Sequence, residues 1–259
     1  MQVVILCGGT GTRLKEQTEF VPKPMVQIGG KPMVWHIMKH YAIYGHTDFI
    51  LALGYKQEVF KHYFRHFVEN NYDVRVTTSY PPHMGVFDLE EVANNYWDIV
   101  LADTGENTLK GGRIKRIEKY SNNKPFMLTY GDAVSNVNLD KLLRFHESHG
   151  KMVTITGVEP EPRFGELLHA NGIVSTFKEK PKGGALINGG FMICQPEIFG
   201  RLNRNCDFEK GPLEQIAADG ELMVYHHRGR WKCMDTLNDM IELQRLWDSG
   251  EAWWETWKS

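Results

Sequence analysis

The first eleven residues constrain this chain more than any other stretch. Val3-Val4-Ile5-Leu6-Cys7 is a short apolar run that opens with β-branched residues, and Gly8-Gly9-Thr10-Gly11 follows it without a spacer. An apolar run of this length, closed by glycine, reads as a strand of a parallel sheet buried on both faces. Glycines let successive backbone N–H groups turn toward one point without Cβ interference. Such a nest of donors at the end of a strand suits phosphate oxygens. Arg13 adds a planar, permanently charged fork matched to phosphate. The loop lacks the Gly-Lys-Ser/Thr of a P-loop, and the third glycine of the dinucleotide fingerprint falls at Leu14. Three glycines alone fit a plain tight turn equally well. Arg13 and the strand before the loop favour phosphate.

Helix and strand signals alternate after the loop. Val34, Ile37, Met38 and Tyr41 recur at helical spacing, which predicts a helix over Pro32 to Tyr44 with proline in its first turn. Asp48 to Leu53 reads as a strand, Lys56 to Phe67 as a helix, Phe126 to Tyr130 as a strand and Leu139 to His149 as a helix. Further strands are expected at Met152 to Val158, Gly172 to Phe177, Gly190 to Cys194 and Leu222 to His226, with a last helix from Thr236. Asn70 to Val100, broken by Pro81-Pro82, is assigned no element. The alternation predicts an α/β fold with a mostly parallel, mixed central sheet flanked by helices.

Composition excludes several classes. A net charge of −2 and a pI near 6.6 give no overall grip on nucleic acid or an anionic membrane. No apolar stretch is long enough to span a bilayer, and no charged leader precedes the first one. The four cysteines Cys7, Cys194, Cys206 and Cys233 form no CxxC pair, so reduced thiols and a cytoplasmic location are expected.

The charged residues that stand out are few. Lys23 lies between Pro22 and Pro24, in a backbone too stiff to let it wander, and reads as a charge clamp. Asp132 directly follows the strand Phe126 to Tyr130, where ligands of open α/β sheets gather. Asp235 is a second isolated carboxylate. Mg²⁺ takes one or two carboxylates together with substrate phosphates, and these two aspartates meet that demand. A turn residue at Asp132 and a helix N-cap at Asp235 are the plainer readings. His36 with His40, and His62 with His66, have the i, i+4 spacing of zinc ligands but lack the accompanying glutamate, so both pairs are read as helix-surface residues. No nucleophile–base pair is evident, and phosphoryl chemistry needs none. A phosphate monoester, with a second pKa near ~6, is already largely a dianion at neutral pH. Alignment and charge neutralisation are what such a transfer requires.

Leu6-Cys7-Gly8-Gly9-Thr10-Gly11-Thr12-Arg13-Leu14 with Lys23-Pro24-Met25 resembles the sugar-nucleotide pyrophosphorylases, a nucleotidyltransferase family. Gly29 to Met38, Thr129-Tyr130-Gly131-Asp132, Ile187-Asn188-Gly189-Gly190-Phe191 and Met234-Asp235-Thr236 are similar to its glucose-1-phosphate cytidylyltransferase branch. The resemblance implies a Rossmann-like nucleotidyltransferase core at 1–200. It also implies a C-terminal extension at 201–259 for the sugar site and oligomer contacts, packed as one unit with the core. It implies that CTP and α-D-glucose 1-phosphate give CDP-glucose and pyrophosphate with Mg²⁺, in a homo-oligomer up to a hexamer, for deoxysugar and surface-polysaccharide synthesis. Leu6, Cys7, Gly8, Gly9, Thr10, Gly11, Thr12 and Arg13 would hold the nucleotide, with Thr108 and Arg113, from the loop before the central strand, and Gly131. Arg13 and Lys23 would be catalytic. Lys23, Gly165, Glu179, Lys180 and Asn188 would face the sugar phosphate, and Asp132 and Asp235 would hold Mg²⁺. The chain departs from the family at Ala133, where glycine is usual and a methyl group would narrow the acceptor site. Alternatives are another sugar or alkyl phosphate as acceptor, or a nucleotide-sugar-binding protein without turnover. The tryptophans Trp247, Trp253, Trp254 and Trp257 cap the chain's own core or, the favoured reading, mark a subunit contact.

Overall fold

The computed structural model describes residues 1–11, 14, 18–77, 83–86, 96–160, 166–178 and 185–258. Eight strands form the central sheet: β1 (Val3–Cys7), β2 (Asp48–Leu53), β3 (Asp98–Asp103), β4 (Phe126–Tyr130), β5 (Val153–Val158), β6 (Ile187–Asn188), β7 (Met192–Cys194) and β8 (Leu222–His227). In space they run β8, β5, then β6 and β7 end to end, β4, β1, β2, β3. Only β6 and β7 oppose the others, so the sheet is mixed and mostly parallel.

The sheet divides the core in two. Val3, Ile5 and Cys7 of β1 face one apolar layer with Phe49, Leu51 and Met127, while Val4 and Leu6 face the other with Ile50, Ala52 and Leu128. Burial on both faces explains why these strands are continuous apolar runs rather than alternating ones. Helices α1 (Met33–Ala42), α2 (Gln57–Arg65), α4 (Leu139–His149) and α5 (Leu237–Asp248) supply Ile37, Phe60, Leu142 and Leu243 to the first layer. Helix α3 (Lys110–Ile117) supplies Ile114 and Ile117 to the second. Strand β8, from the C-terminal fifth of the chain, pairs along its whole length with β5. Among the described residues no helix is long and apolar enough to cross a membrane.

Several sequence expectations need correction. Strand β3 begins inside the stretch that was assigned no element and pairs with β2 from Asp48↔Asp98 to Leu53↔Asp103. The helix expected over Lys56 to Phe67 runs Gln57–Arg65, entered through Lys56 at φ 49°. Arg113 stands on helix α3, not on a loop. Gly111 and Gly112 obscure that helix in the sequence, but packing demands them there. A Cβ at Gly111 would lie 2.6 Å from Cys206 Sγ, and one at Gly112 2.6 Å from the Arg204 carbonyl oxygen.

His36 and His40 are buried, not on a helix surface. The His36 Nε2–H donates to the Ile28 carbonyl (2.9 Å), and the Trp254 indole donates to His36 Nδ1 (3.4 Å). The His40 Nε2–H donates to the Val137 carbonyl (2.9 Å). The cover is the C-terminal tail: Trp254 is 1% exposed, and Trp247 and Trp257 pack edge-on against His36 and Trp35. Trp247, Trp254 and Trp257 thus pack on this chain's own helix α1, as the self-capping reading expects. His62, by contrast, is exposed on α2, and half-buried His66 pairs with Glu69 at 2.6 Å.

Candidate active site

The glycine loop leaves β1 at the C-terminal edge of the sheet, where parallel α/β folds gather their ligands. Arg113 holds it there. Its guanidinium donates to the carbonyls of Gly8 (2.8 Å), Leu53 (3.1 Å), Gly105 (2.7 Å) and Glu106 (2.9 Å), and to Thr104 Oγ1 (2.8 Å). A Cβ on Gly8 would run into this guanidinium, so only glycine admits so close an approach. Arg113 borders the cleft, yet its hydrogen bonds are spent on the walls, so it acts as the buried tie between loop, β2 and α3. Gly131 meets Leu6 through a backbone bond of 3.2 Å, and a Cβ there would lie 2.8 Å from Pro24.

The cleft has a volume of about 360 Å³. Leu6, Cys7, Gly8, Gly9 and Gly11 form its floor; Lys23, Gly131 and Asp132 form one end; Thr108 and Arg113 form a wall. Ten of the expected residues therefore share one cavity. Exposed Thr10 stands in the same loop outside that lining. Asn188, on β6, stands behind it and reaches it through Tyr130. Thr12, Arg13, Gly165, Glu179 and Lys180 lie outside the described residues.

Lys23 joins the two aspartates. The flanking prolines set a short 3-10 turn, Lys23–Met25, that buries the lysine stem. The ammonium lies 2.8 Å from Asp132 Oδ2 and 2.5 Å from Asp235 Oδ1. Burial works against the charge on Lys23, but the two carboxylates outweigh it and raise its pKa. Asp235 is freed for this role because it is not the helix cap. Thr236 caps α5 in a capping box with Asp239, whose carboxylate also takes the Asp235 N–H (3.1 Å). A backbone bond of 2.8 Å from Met234 to the Asp132 carbonyl docks the two acidic segments together. Trp231–Cys233 pairs with Ala133–Ser135, placing Cys233 opposite Ala133. One oxygen each of Asp132 and Asp235, with Cys233 Sγ, fall within 4.8 Å of one another, a spacing that fits a shared divalent ion. Burial, then the nearby Asp132, pushes the Cys233 thiol up, so it is the weakest ligand of the three for a hard ion. Ala133 is buried in this ribbon.

Five residues missed in the sequence complete the cleft: Pro24, Leu109, Lys110, Tyr130 and Asp207 all line it. Tyr130 was visible only as the residue before Gly131-Asp132. Nothing local marks Lys110 or Asp207, which come from the start of α3 and from a turn nearly a hundred residues later.

A family model described as nucleotidyl transferase matches residues 2–249. Glucose-1-phosphate cytidylyltransferase of Salmonella typhimurium is 43% identical, with all of both chains covered. A probable glucose-1-phosphate cytidylyltransferase of Bacillus subtilis is 40% identical over 99% of this chain and 100% of its own. A solved UDP-glucose pyrophosphorylase holding UDP-glucose superimposes with a TM-score of 0.69, at 15% identity, over 96% of this chain and 98% of its own, a likeness of fold. With the family match running nearly end to end and a donor-lined cleft where the fold expects one, this chain belongs to the nucleotidyl transferase family.

Proposed function

We propose that this enzyme transfers a cytidylyl group from CTP to α-D-glucose 1-phosphate, giving CDP-glucose and pyrophosphate. The observation that carries this reading is the convergence of Lys23, Asp132 and Asp235 at one end of a glycine-floored cleft. Full-length relatives named glucose-1-phosphate cytidylyltransferase support the choice of substrates. Backbone N–H groups of the Leu6–Gly11 segment, with Arg13 beside them, would hold the triphosphate. Thr108 and Gly131 would flank the nucleoside. Lys23 would bring its charge to the phosphates, and Asn188, Gly165, Glu179 and Lys180 would face the sugar phosphate. A divalent ion, Mg²⁺ in this reading, held by Asp132 and Asp235 would neutralise phosphate charge. The acceptor dianion needs no base, consistent with a cleft without a poised histidine or nucleophile among its described lining residues. We further read the protein as a cytoplasmic homo-oligomer of up to six chains that serves deoxysugar and surface-polysaccharide synthesis.

Pyrophosphate release across a panel of nucleoside triphosphates and phosphate acceptors, with Mg²⁺ and with chelator, tests this. CTP with glucose 1-phosphate should give the highest kcat/KM, and chelator should abolish it. Preference for another pair would overturn the substrate assignment. Tight CDP-glucose binding without turnover would overturn catalysis.

A further inference from the structure

A chain of hydrogen bonds next to Gly131 and Asp132 connects Asn188 to three residues that no assigned role uses: Tyr130, Glu209 and Lys110. Asn188 Nδ2 donates to the Tyr130 hydroxyl (2.9 Å), and that hydroxyl donates to Glu209 Oε1 (2.8 Å). The same carboxylate oxygen accepts from Lys110 Nζ (2.5 Å), whose ammonium also lies 5.5 Å from the centre of the Tyr130 ring. The path joins three elements distant in sequence: β6 through Asn188, the end of β4 through Tyr130, and the start of α3 through Lys110. The Tyr130 hydroxyl thus accepts from Asn188 and donates to Glu209 at once, using both sides of its hydrogen-bonding capacity. The other Asn188 polar atom, Oδ1, accepts from the Gly190 N–H (2.9 Å). With Oδ1 and one N–H committed, the side chain has a fixed orientation and one amide proton to offer. Glu209 is fixed from one side only, since its Oε2 is buried with no hydrogen-bond partner among the described residues.

We propose that Tyr130 is a positioning residue for the phosphate acceptor, aiming Asn188, and that Glu209 holds Tyr130 in place. The inference rests on the nucleotidyl-transfer reading above, because that reading defines the acceptor side. The triphosphate occupies the glycine loop, and an in-line attack brings the acceptor from the side opposite the leaving pyrophosphate. Tyr130 lines the cleft two residues before Asp132, and Asn188 of β6 bonds to its hydroxyl. Removing the phenolic hydroxyl frees the Asn188 amide to rotate and takes from Glu209 one of its two donors, while the ring still fills its space.

The test is steady-state kinetics of the full chain, wild type against Tyr130→Phe, Glu209→Gln and the double variant, each checked for native circular dichroism. KM for glucose 1-phosphate should rise about tenfold in Tyr130→Phe, the loss of one oriented hydrogen bond, with KM for CTP within about twofold. Glu209→Gln should give a smaller rise in the same KM, and the double variant no more than Tyr130→Phe alone, because both act through one path. A general packing defect would move both KM values together, and that result, or an unchanged acceptor KM in both single variants, overturns the proposal. Additive effects in the double variant overturn the link through Glu209. Wild-type turnover of the two substrates in the same assay separates the outcomes: if wild type turns over and the variants match it, only this inference fails, whereas no wild-type turnover refutes the substrate assignment and this inference with it.

Discussion

Replacing Lys23 by methionine keeps most of the buried stem and removes the ammonium that bridges Asp132 and Asp235. The lysine side chain is 9% exposed, Asp132 29% and Asp235 14%. Taking one partner from a buried ion pair costs ~3–5 kcal/mol because the remaining charge is stranded. Here two like charges are stranded together, but Asp132 is nearly a third open to water, and screening reduces its share. A net loss of ~2–4 kcal/mol follows. At roughly 2–4 °C per kcal/mol for a chain of this size, Tm should fall by about 4–16 °C in chelator. A divalent ion satisfies the same two carboxylates, so Mg²⁺ should restore much of that loss in the variant. In wild type without nucleotide the ammonium competes for the same oxygens, and the Mg²⁺-dependent rise in Tm should be clearly smaller. Thermal melts followed by circular dichroism, in chelator and in excess Mg²⁺, read both quantities. Equal Tm values in chelator would refute the ion-pair energetics. Equal Mg²⁺ responses would refute the idea that Lys23 and the ion share one site.

Three further outcomes are expected. Asp132→Asn should keep the native circular dichroism spectrum while kcat falls on the order of a hundredfold or more, since a carboxylate that would hold the charge-neutralising ion is lost; near-normal turnover would remove Asp132 from the site. Gly8→Ala should raise KM for CTP by about tenfold, because its methyl must displace the Arg113 guanidinium that fixes the loop, and an unchanged KM would show that the loop binds without that support. Burial pushes the pKa values of His36 and His40 from 6.5 down to about 4. The unfolded chain therefore binds more protons between those values, so this stabilisation is full above pH 6.5 and is lost as pH falls toward 4. Denaturation midpoints between pH 7 and 5 should drop less steeply in His40→Gln than in wild type.

What could be read without the fold follows from the range of the signals. Val3 to Cys7 and Phe49 to Leu53 are strand residues because every one of them seeks burial, and a run of that kind is evident from neighbours alone. Lys23 was legible because two prolines flank it, and Asp132 because it follows a strand end. Strand Asp98–Asp103 is harder to read from neighbours, because aspartate stands at both ends of a short apolar run that follows a proline-broken stretch. Helix Lys110–Ile117 was missed because its two glycines lower helix propensity, while their purpose is contact with Arg204 and Cys206 far along the chain.

Histidines 36 and 40 make the same division sharper. Helical spacing placed them on one face of α1, and nothing near them could say whether that face meets water or a tail of tryptophans more than two hundred residues later. The amino-acid order by itself determined the class of fold and singled out the glycine loop, Lys23, Asp132 and Asp235 as candidates, because backbone freedom and burial preference are local properties. Only the tertiary structure decided that Arg113 ties the loop to its walls, that Lys23 stands between both acids, and that Tyr130 links Asn188 to Glu209. Those are meetings of single polar atoms from distant segments, and their partners are set by how the whole sheet closes.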